Sequence, residues 1–135
     1  MLTQVSVFTE NKKGAMRTLL NTLATANINV LGYVTNDSAE FGIVRVITSD
    51  NEQAYDLLTT QGYLCKMTKV IGVELEDKPG TMAQLLGTIQ KMNINVDYLY
   101  LGYSRESNMP ITLFHCESME EVENTLHHLG YRVHS

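Results

Sequence analysis

The stretch VSVFTENKKGAMRTLLNTLATANINV, residues 5–30, returns 66 positions later as IGVELEDKPGTMAQLLGTIQKMNINV, residues 71–96. The two copies align without a gap, and 12 of their 26 positions are identical. An internal repeat of this kind decides the architecture of a chain before any single motif does. The sequence therefore predicts two similar halves, residues 1–67 and residues 68–135.

The second part of each half is repeated as well. Residues 50–63 (DNEQAYDLLTTQGY) align with residues 118–131 (SMEEVENTLHHLGY), and both segments end on Gly-Tyr. Only CKMTKV, residues 65–70, joins the halves, and it contains no Pro-, Gly- or Ser-rich linker. A domain of about 65 residues buries only roughly 60% of the surface that its unfolded chain exposes. We therefore expect the halves to support each other and the chains to associate as homodimers.

The periodicity of apolar residues predicts the first two elements of each half. Apolar residues at every second position indicate a half-buried strand. They are Val5 and Val7 in the first copy and Ile71, Val73 and Leu75 in the second. The spacing then changes to i, i+3, i+4, i+7, which indicates one apolar stripe on an amphipathic helix. This stripe consists of Met16, Leu19, Leu20 and Leu23 in the first copy and Met82, Leu85, Leu86 and Ile89 in the second.

The rest of each half adds two strands, a second helix and a short last strand. The second strands start directly after Asn27 and Asn93, and Asp50 and Ser118 are predicted to cap the second helices. Each half thus has the order β-α-β-β-α-β, the ferredoxin-like arrangement of the α+β class. Right-handed crossovers give the strand order 4-1-3-2 in an antiparallel sheet with both helices on one face. The second strands then lie at sheet edges, and we expect the halves to pair through them.

The first strand-to-helix turn of each half is the candidate functional site. It has the sequence ENKKG at residues 10–14 and EDKPG at residues 76–80. A helix N-terminus offers unpaired backbone N–H groups and a partial positive charge, which suit a carboxylate. Gly14 and Gly80 leave this backbone uncovered, so a small anion can approach it.

Polar side chains accompany both turns. Asn11 and Asp77 stand three residues before the glycines, where they can hold an ammonium or hydroxyl group. Asn29 and Asn95 follow fifteen residues after the glycines, at the start of the second strands. The combination suits a zwitterion. Turn and capping chemistry is the alternative interpretation, because Asn and Asp are good N-caps, Pro79 favours a first helical turn, and the asparagines could simply end the helices.

The combination of Glu-Asp-Lys-Pro-Gly, an amphipathic helix and Asn-Ile-Asn-Val in a unit of about 65 residues resembles the ACT domain. This regulatory module senses amino acids in many biosynthetic enzymes. The resemblance covers nearly the whole chain, twice, and implies that an amino acid binds between two such domains whose edge strands join. The turn of one domain and the second-strand Asn of the other would hold it. The first copy departs from the family pattern, with Asn11 in place of Asp and Lys13 in place of Pro.

The turn chemistry and the resemblance together give a set of ligand-binding residues, including the backbone N–H groups that follow each glycine. The set is Asn11, Gly14, Ala15, Met16 and Asn29 in the first copy, and Asp77, Gly80, Thr81, Met82 and Asn95 in the second. The second copy is favoured, because Asp77 offers the ammonium a full negative charge where Asn11 offers only a dipole, and charge-assisted bonds are roughly twice as strong.

Composition argues against several other functions. With 44% hydrophobic and 19% charged residues, the chain is typical of globular proteins. The net charge of -5 disfavours binding to nucleic acid or to an anionic membrane. The start of the chain has no signal-peptide pattern and no apolar run reaches ~18 residues, so we expect a cytoplasmic protein. The four His and two Cys residues lack the spacing of metal ligands, and we expect no metal or cofactor.

No catalytic motif is recognisable in the sequence. We therefore expect a protein that is not an enzyme, binds a free amino acid and regulates another protein, such as an amino-acid biosynthetic enzyme. Two alternatives remain. A small hydrolase of the acylphosphatase type would share the fold but needs an Arg in its phosphate loop, and neither turn contains one. A purely structural or RNA-binding module would need aromatic residues on the central strands of a basic face. Tyr98, Tyr100 and Tyr103 instead lie on a predicted edge strand of an acidic chain, where packing or an interface is the expected role.

We predict that residues 1–67 alone form a poorly folded fragment, because half of the chain buries too little apolar surface. In urea unfolding followed by circular dichroism, the fragment should show a broad, weakly cooperative transition where the full chain shows a sharp one. A fragment that unfolds cooperatively as a monomer, as stable as the full chain, would contradict the mutual support of the halves.

Overall fold

The computed structural model describes residues 1–10, 12–37 and 41–135. In chain order the elements are β1 (Leu2–Glu10), α1 (Ala15–Thr25), β2 (Val30–Asp37), β3 (Phe41–Thr48), α2 (Asn51–Thr60), β4 (Leu64–Glu74), α3 (Thr81–Lys91), β5 (Val96–Tyr103), β6 (Pro110–Cys116), α4 (Met119–His128) and β7 (Arg132–His134). Their contacts divide the chain into an N-terminal unit, Thr3–Thr68, and a C-terminal unit, Lys69–Ser135 together with Met1–Leu2. In the described residues, no helix is long and apolar enough to cross a membrane.

The junction between the repeats lies within a single strand rather than in a loop. The sequence predicts a short last strand that ends at Cys65 and a new strand that begins near Ile71. The structure instead has one strand of 11 residues, β4, that runs through both. The intervening residues contain no Gly or Pro and include the β-branched Thr68 and Val70, so nothing in the sequence interrupts an extended backbone.

The sheet of the C-terminal unit is antiparallel. Strand β4 pairs with β6 on one side and with β7 on the other, and β6 also pairs with β5. The resulting order, β7-β4-β6-β5, corresponds to 4-1-3-2 within this half. In the N-terminal unit β3 lies between β1 and β2 and is antiparallel to both. The end of the first strand of each half is thereby held by the third strand, next to the turn that leads into the helix.

Each unit has its own apolar core between its helices and one face of its sheet. In the N-terminal unit the core contains Val5, Val7, Leu19, Leu23, Ile28, Val44, Val46, Ala54 and Leu58. In the C-terminal unit it contains Ile71, Val73, Leu85, Ile89, Phe114, Cys116, Val122 and Leu126. Both helices of a unit contribute to the same core, so both pack on the same face. The alternation of the strands and the i, i+4 residues of the helices produce this arrangement.

The apolar stripe of the first helices is narrower than the sequence predicts. Leu19 and Leu23 are fully buried, but Met16 is 46% exposed. In the C-terminal unit Leu85 and Ile89 are fully buried, whereas Leu86 is 37% exposed. The fully buried contacts of each helix are therefore made by two residues one turn apart, and Leu20 packs against the margin of the core. Met16 lies in the first turn of α1, beside the candidate site rather than in the core.

The helix ends explain one of the two asparagines in each Asn-Ile-Asn motif. Asn27 and Asn93 have φ angles of 60° and 59°, in the left-handed region just after α1 and α3. Asn enters this region more readily than other residues with a side chain. The first Asn of each motif therefore recurs because it allows the left-handed backbone that ends the helix, in agreement with the interpretation that these asparagines end the helices. Asn29 and Asn95 are exposed and do not have a left-handed backbone, so the end of the helix does not explain why they recur.

The two predicted caps of the second helices differ. Asp50 accepts a hydrogen bond from the Gln53 N–H at 3.1 Å and is an N-cap, as predicted. Ser118 occupies the cap position of α4, but its φ of 53° is left-handed and its side chain makes no capping bond. The prediction of a side-chain cap at Ser118 is wrong, because this backbone conformation does not place the hydroxyl over the helix N–H groups.

We predict that Asp50→Ala lowers the free energy of unfolding by about 1 kcal/mol, the usual contribution of an N-cap. Ser118→Ala should change it by only a few tenths of a kcal/mol, because no capping bond is lost. Ser118→Gly should raise it by up to about 1 kcal/mol, because glycine adopts a positive φ without strain. Urea unfolding of the three variants measures these differences; equal losses for the two alanine variants would contradict the assignment.

Candidate functional site

Glycines in the left-handed conformation form the N-caps of α1 and α3. Gly14 and Gly80 have φ angles of 84° and 88°, and a Cβ built on either would have open space around it. Neither helix has a side-chain cap. The residues at these positions therefore turn the backbone from strand to helix while leaving the helix N-terminus uncovered, as the sequence predicts.

Hydrogen bonds within each turn use one of the N–H groups that the sequence assigns to the ligand. The Ala15 N–H donates to the Lys12 carbonyl at 3.2 Å, and the Thr81 N–H donates to the Lys78 carbonyl at 3.4 Å. The Thr81 hydroxyl donates to the Glu76 carbonyl at 2.9 Å. The next N–H groups of the helix, starting at Met16 and Met82, have no partner within a regular helix. These are the donors that each turn leaves for an anion.

Asp77 does not cap α3. The cap position belongs to Gly80, and Asp77 is exposed without a hydrogen bond or ion pair to any other residue that the structure describes. The capping interpretation therefore does not account for Asp77. Its counterpart Asn11 lies outside the described residues. The neighbouring charges form ion pairs, from Lys12 to Glu10 at 3.1 Å and from Lys78 to Glu76 at 2.6 Å.

A cavity of about 780 Å³ opens beside the turn of the C-terminal unit. It is lined by Gly80, Thr81 and Gln84 at the helix start, by Glu74, Leu75, Glu76, Lys78 and Pro79 before it, and by Met109, Leu129, Gly130, Tyr131 and Arg132. A cavity of this volume is within the usual range for small-molecule sites. It brings the helix N-terminus, apolar side chains and four charged side chains to one place.

Glu74, at the end of β4, is the least exposed charged group in this cavity, with 11% of its side chain accessible. Its carboxylate accepts from Arg132 at 3.0 Å and lies 3.3 Å from the His134 ring nitrogen Nε2. The Ser107 hydroxyl, in the loop before β6, donates to it at 3.4 Å. Burial raises the pKa of the Glu74 carboxyl, but bonds and charges from Arg132 and His134 outweigh this effect and hold it below its ordinary value. Glu74 is therefore ionised at neutral pH.

The corresponding cavity of the N-terminal unit has different chemistry. Its volume is about 550 Å³, and it is lined by Phe8, Thr9, Glu10, Lys12, Lys13, Gly14, Ala15, Thr18, Gly62, Tyr63 and Leu64. In the repeat alignment Phe8 stands where the second copy has Glu74, and Leu64 stands where it has Arg132. Phe8 is 39% exposed and Leu64 is 70% exposed. The apolar pair leaves this position without a carboxylate.

A second cavity of about 630 Å³ lies on the other side of the same turn, against β3. Gly14, Ala15 and Met16 line it together with Thr35 and Ile43, among others. The hydroxyl of Tyr33 on β2 lies 2.7 Å from the Met16 sulfur. This contact fixes the exposed Met16 side chain beside the turn.

The structure brings some of the predicted site residues together and leaves others apart. Gly14, Ala15 and Met16 line one cavity, and Gly80 and Thr81 line another. Asp77, Met82, Asn29 and Asn95 line none of the cavities described above. Asn29 is positioned by its backbone, since its N–H donates to the Ser49 hydroxyl at 3.0 Å. Sequence reasoning missed Glu74, Arg132, His134 and Ser107, although the repeat alignment already sets Glu74 against Phe8.

The arrangement closest to catalytic machinery is an Asp97–His115 pair at 2.7 Å, stacked against Tyr98. The adjacent Cys116 belongs to the apolar core, and burial, with a smaller effect from Asp97 and Glu117, raises the pKa of its thiol to about 11. This thiol is protonated at neutral pH and unsuited to nucleophilic attack. In the described part of the chain, no group of three or more metal-ligating side chains comes together.

Comparison with known proteins identifies relatives of the whole chain. A family model described as an ACT domain pair matches residues 1–129. A solved protein structure from Bacteroides thetaiotaomicron has a TM-score of 0.88 at 27% identity, over 98% of this chain and 91% of that one. The ligand-free regulatory subunit of aspartate kinase from Thermus thermophilus has a TM-score of 0.62 at 15% identity, over 93% and 90%. A structure of aspartokinase alpha and beta subunits has a TM-score of 0.57 at 19% identity, over 95% of this chain and 96% of that one. The last two show similarity of fold, and a search of curated proteins finds no match.

We predict a specific pH dependence of stability from Glu74. Because its folded pKa lies below the ordinary 4.5, the stabilisation is fully present above pH 4.5 and is lost as the pH falls through the lowered value. Glu74→Gln should therefore remove part of the loss of stability below pH 4.5 that the wild type shows. Glu10→Gln, at an exposed site in the other unit, is the control. Urea unfolding between pH 3 and pH 7 measures the free energy of unfolding of both variants and the wild type. The same fall in this free energy below pH 4.5 for Glu74→Gln and the wild type would contradict the prediction.

Proposed function

The chain belongs to the family of ACT domain pairs, and from this premise we propose that it is a regulatory protein that binds a free amino acid and acts on another protein. The observation that carries the proposal is the duplicated glycine turn. In both units the turn uncovers a helix N-terminus beside a cavity of several hundred Å³. Such a helix N-terminus is suited to the carboxylate that every free amino acid carries.

The residues that the sequence predicts for the ligand remain part of this proposal. We place the ligand carboxylate on the backbone N–H groups that follow Gly14 or Gly80, and the ammonium near the polar side chains around each turn. Asp77 and Asn95 are the candidates in the second copy, and Asn11 and Asn29 in the first. The second copy is the stronger site, because it offers carboxylates where the first offers amides or apolar groups.

The assembly that we propose follows from the size of each unit. Two repeats, residues 1–67 and 68–135, would pair through their second strands, because an unpaired sheet edge invites association and a unit of about 65 residues is marginal alone. Two chains would then form a homodimer in the cytoplasm. The protein itself would be non-catalytic.

The regulated partner would be an enzyme of amino-acid biosynthesis. Support comes from a similarity of fold, since a regulatory subunit of aspartate kinase covers nearly the same length as this chain. The amino acid would then report on the supply of a product of that enzyme's reaction sequence.

We predict that at least one proteinogenic amino acid raises the unfolding temperature of the full chain. A ligand at 100 times its Kd adds about 2.7 kcal/mol to the free energy of unfolding. A thermal-shift screen of the twenty amino acids at millimolar concentration, followed by calorimetry of those that shift the transition, tests this directly.

Asp77→Ala and Asn95→Ala should each weaken binding of that amino acid by about 1 to 3 kcal/mol, the usual cost of removing one partner of a buried polar contact. Asn93→Gly is the matched control, because glycine keeps the left-handed backbone of Asn93 and the residue is given no role in binding. If no amino acid binds at millimolar concentration, the proposed function is wrong. If both alanine variants bind as tightly as the wild type, these residues are not part of the site.

A further inference from the structure

Glu74 is the carboxylate that the C-terminal cavity presents to a cation. We infer that Glu74 binds the ammonium group of the ligand and so determines specificity for amino acids over carboxylic acids that lack an amino group. This inference rests on the proposed function, because it concerns the same ligand. It makes Glu74 the main partner of the ammonium, with Asp77 and Asn95 as further polar side chains near the turn. Glu74 lies outside the glycine turn, two residues before it begins at Glu76.

Burial distinguishes Glu74 from the other carboxylate that lines the cavity. Glu74 has 11% of its side chain exposed, whereas Glu76 has 71% exposed and is paired with Lys78 at 2.6 Å. A charge near bulk water is strongly screened, and a charge away from water interacts more strongly with its partner. An ammonium in this cavity therefore gains more from Glu74 than from Glu76.

The carboxylate of Glu74 has capacity for a further donor. One nitrogen of Arg132 donates to it at 3.0 Å, and the Arg132 side chain is 80% exposed. The contacts with His134 and Ser107 are longer, at 3.3 Å and 3.4 Å. A carboxylate offers about four lone-pair sites, so these three neighbours do not saturate it. A ligand ammonium can join them without displacing the short bond to Arg132.

The first copy shows that the fold does not need a carboxylate at this position. The same strand end forms around Phe8, and Leu64 takes the position of Arg132. The ion pair that Glu74 forms with Arg132 stabilises the folded chain only modestly, because the Arg132 side chain is 80% exposed and its charge is screened. This modest contribution does not require a carboxylate here, and binding of a cation gives Glu74 a further role at the cavity. It follows that the chain has one strong amino-acid site, in the C-terminal unit.

The test uses the full chain and isothermal calorimetry. The probes are the amino acid that binds the wild type most tightly in a screen of all twenty, and the 2-hydroxy acid with the same side chain. Glu74→Gln keeps the size and the acceptor oxygen but removes the charge. We expect it to weaken amino-acid binding at least tenfold and to leave binding of the hydroxy acid within about twofold, so the preference of the protein for the amino acid collapses.

Glu76→Gln is the matched control, since it removes an exposed carboxylate from the same cavity, and it should leave the preference unchanged. Equal loss of both ligands in Glu74→Gln would show a structural role and overturn the inference, as would unchanged affinity for the amino acid. Two equal sites per chain would overturn it as well. These results leave amino-acid binding itself in place, whereas a wild type that binds no amino acid removes the proposed function and the inference together.

Discussion

The left-handed backbone at Gly14 and Gly80 is the constraint on which the candidate site depends. At φ angles of 84° and 88° the chain turns from the first strand of each half directly into its helix. A residue with a Cβ would be strained in this conformation even though the space around it is open. Neither helix has a side-chain cap, so the N–H groups that follow Ala15 and Thr81 have no partner within the helix. One conformational requirement therefore gives both the fold of the turn and the uncapped helix N-terminus on which the proposed carboxylate site rests.

Duplication allows the two turns to serve different purposes. The cores of the two units are built in the same way, because the residues that pack the helices on the sheet recur in both copies. The residues around the cavities have diverged, with Phe8 and Leu64 in one copy and Glu74 and Arg132 in the other. Packing thus limits change in the interior, while the cavity linings vary without consequence for the fold. The two cavities therefore differ in the charge that they can offer a ligand.

Much of the fold follows from the sequence because it depends on local periodicity. The alternation around Val73 and the spacing from Leu85 to Ile89 specify a strand and a helix without knowledge of their partners. The continuity of β4 does not follow, since the repeat alignment suggests a boundary where the backbone has no reason to break. The role of Asn93 also needs the structure, because only the φ angle shows that it ends a helix.

The candidate site could be predicted only in part, for a related reason. The glycine turn is a contiguous motif, so Gly80 and Asp77 can be found by reading along the chain. The cluster around Glu74 joins the end of β4, the loop at Ser107 and strand β7. Glu74 pairs with Arg132 on one side and with Ile111, just after the loop at Ser107, on the other. No spacing rule connects residues 74, 107 and 132. Only the repeat alignment indicates them, because it aligns the charged Glu74 and Arg132 with the apolar Phe8 and Leu64.

The position of this cluster bears on how a bound amino acid can influence a partner. A ligand shifts a conformational equilibrium only by the difference in its affinity for the two states. Glu74 contacts Arg132 and His134, which are the first and last residues of the three-residue strand β7. Strand β7 pairs with β4 from Gly72 to Glu74, and Val133 packs against the core, so the contacts of Glu74 are part of what holds β7 to the sheet. In the proposed site, an ammonium that shares the Glu74 carboxylate would change the interactions that retain this strand, at the same place where we propose that the ligand is recognised.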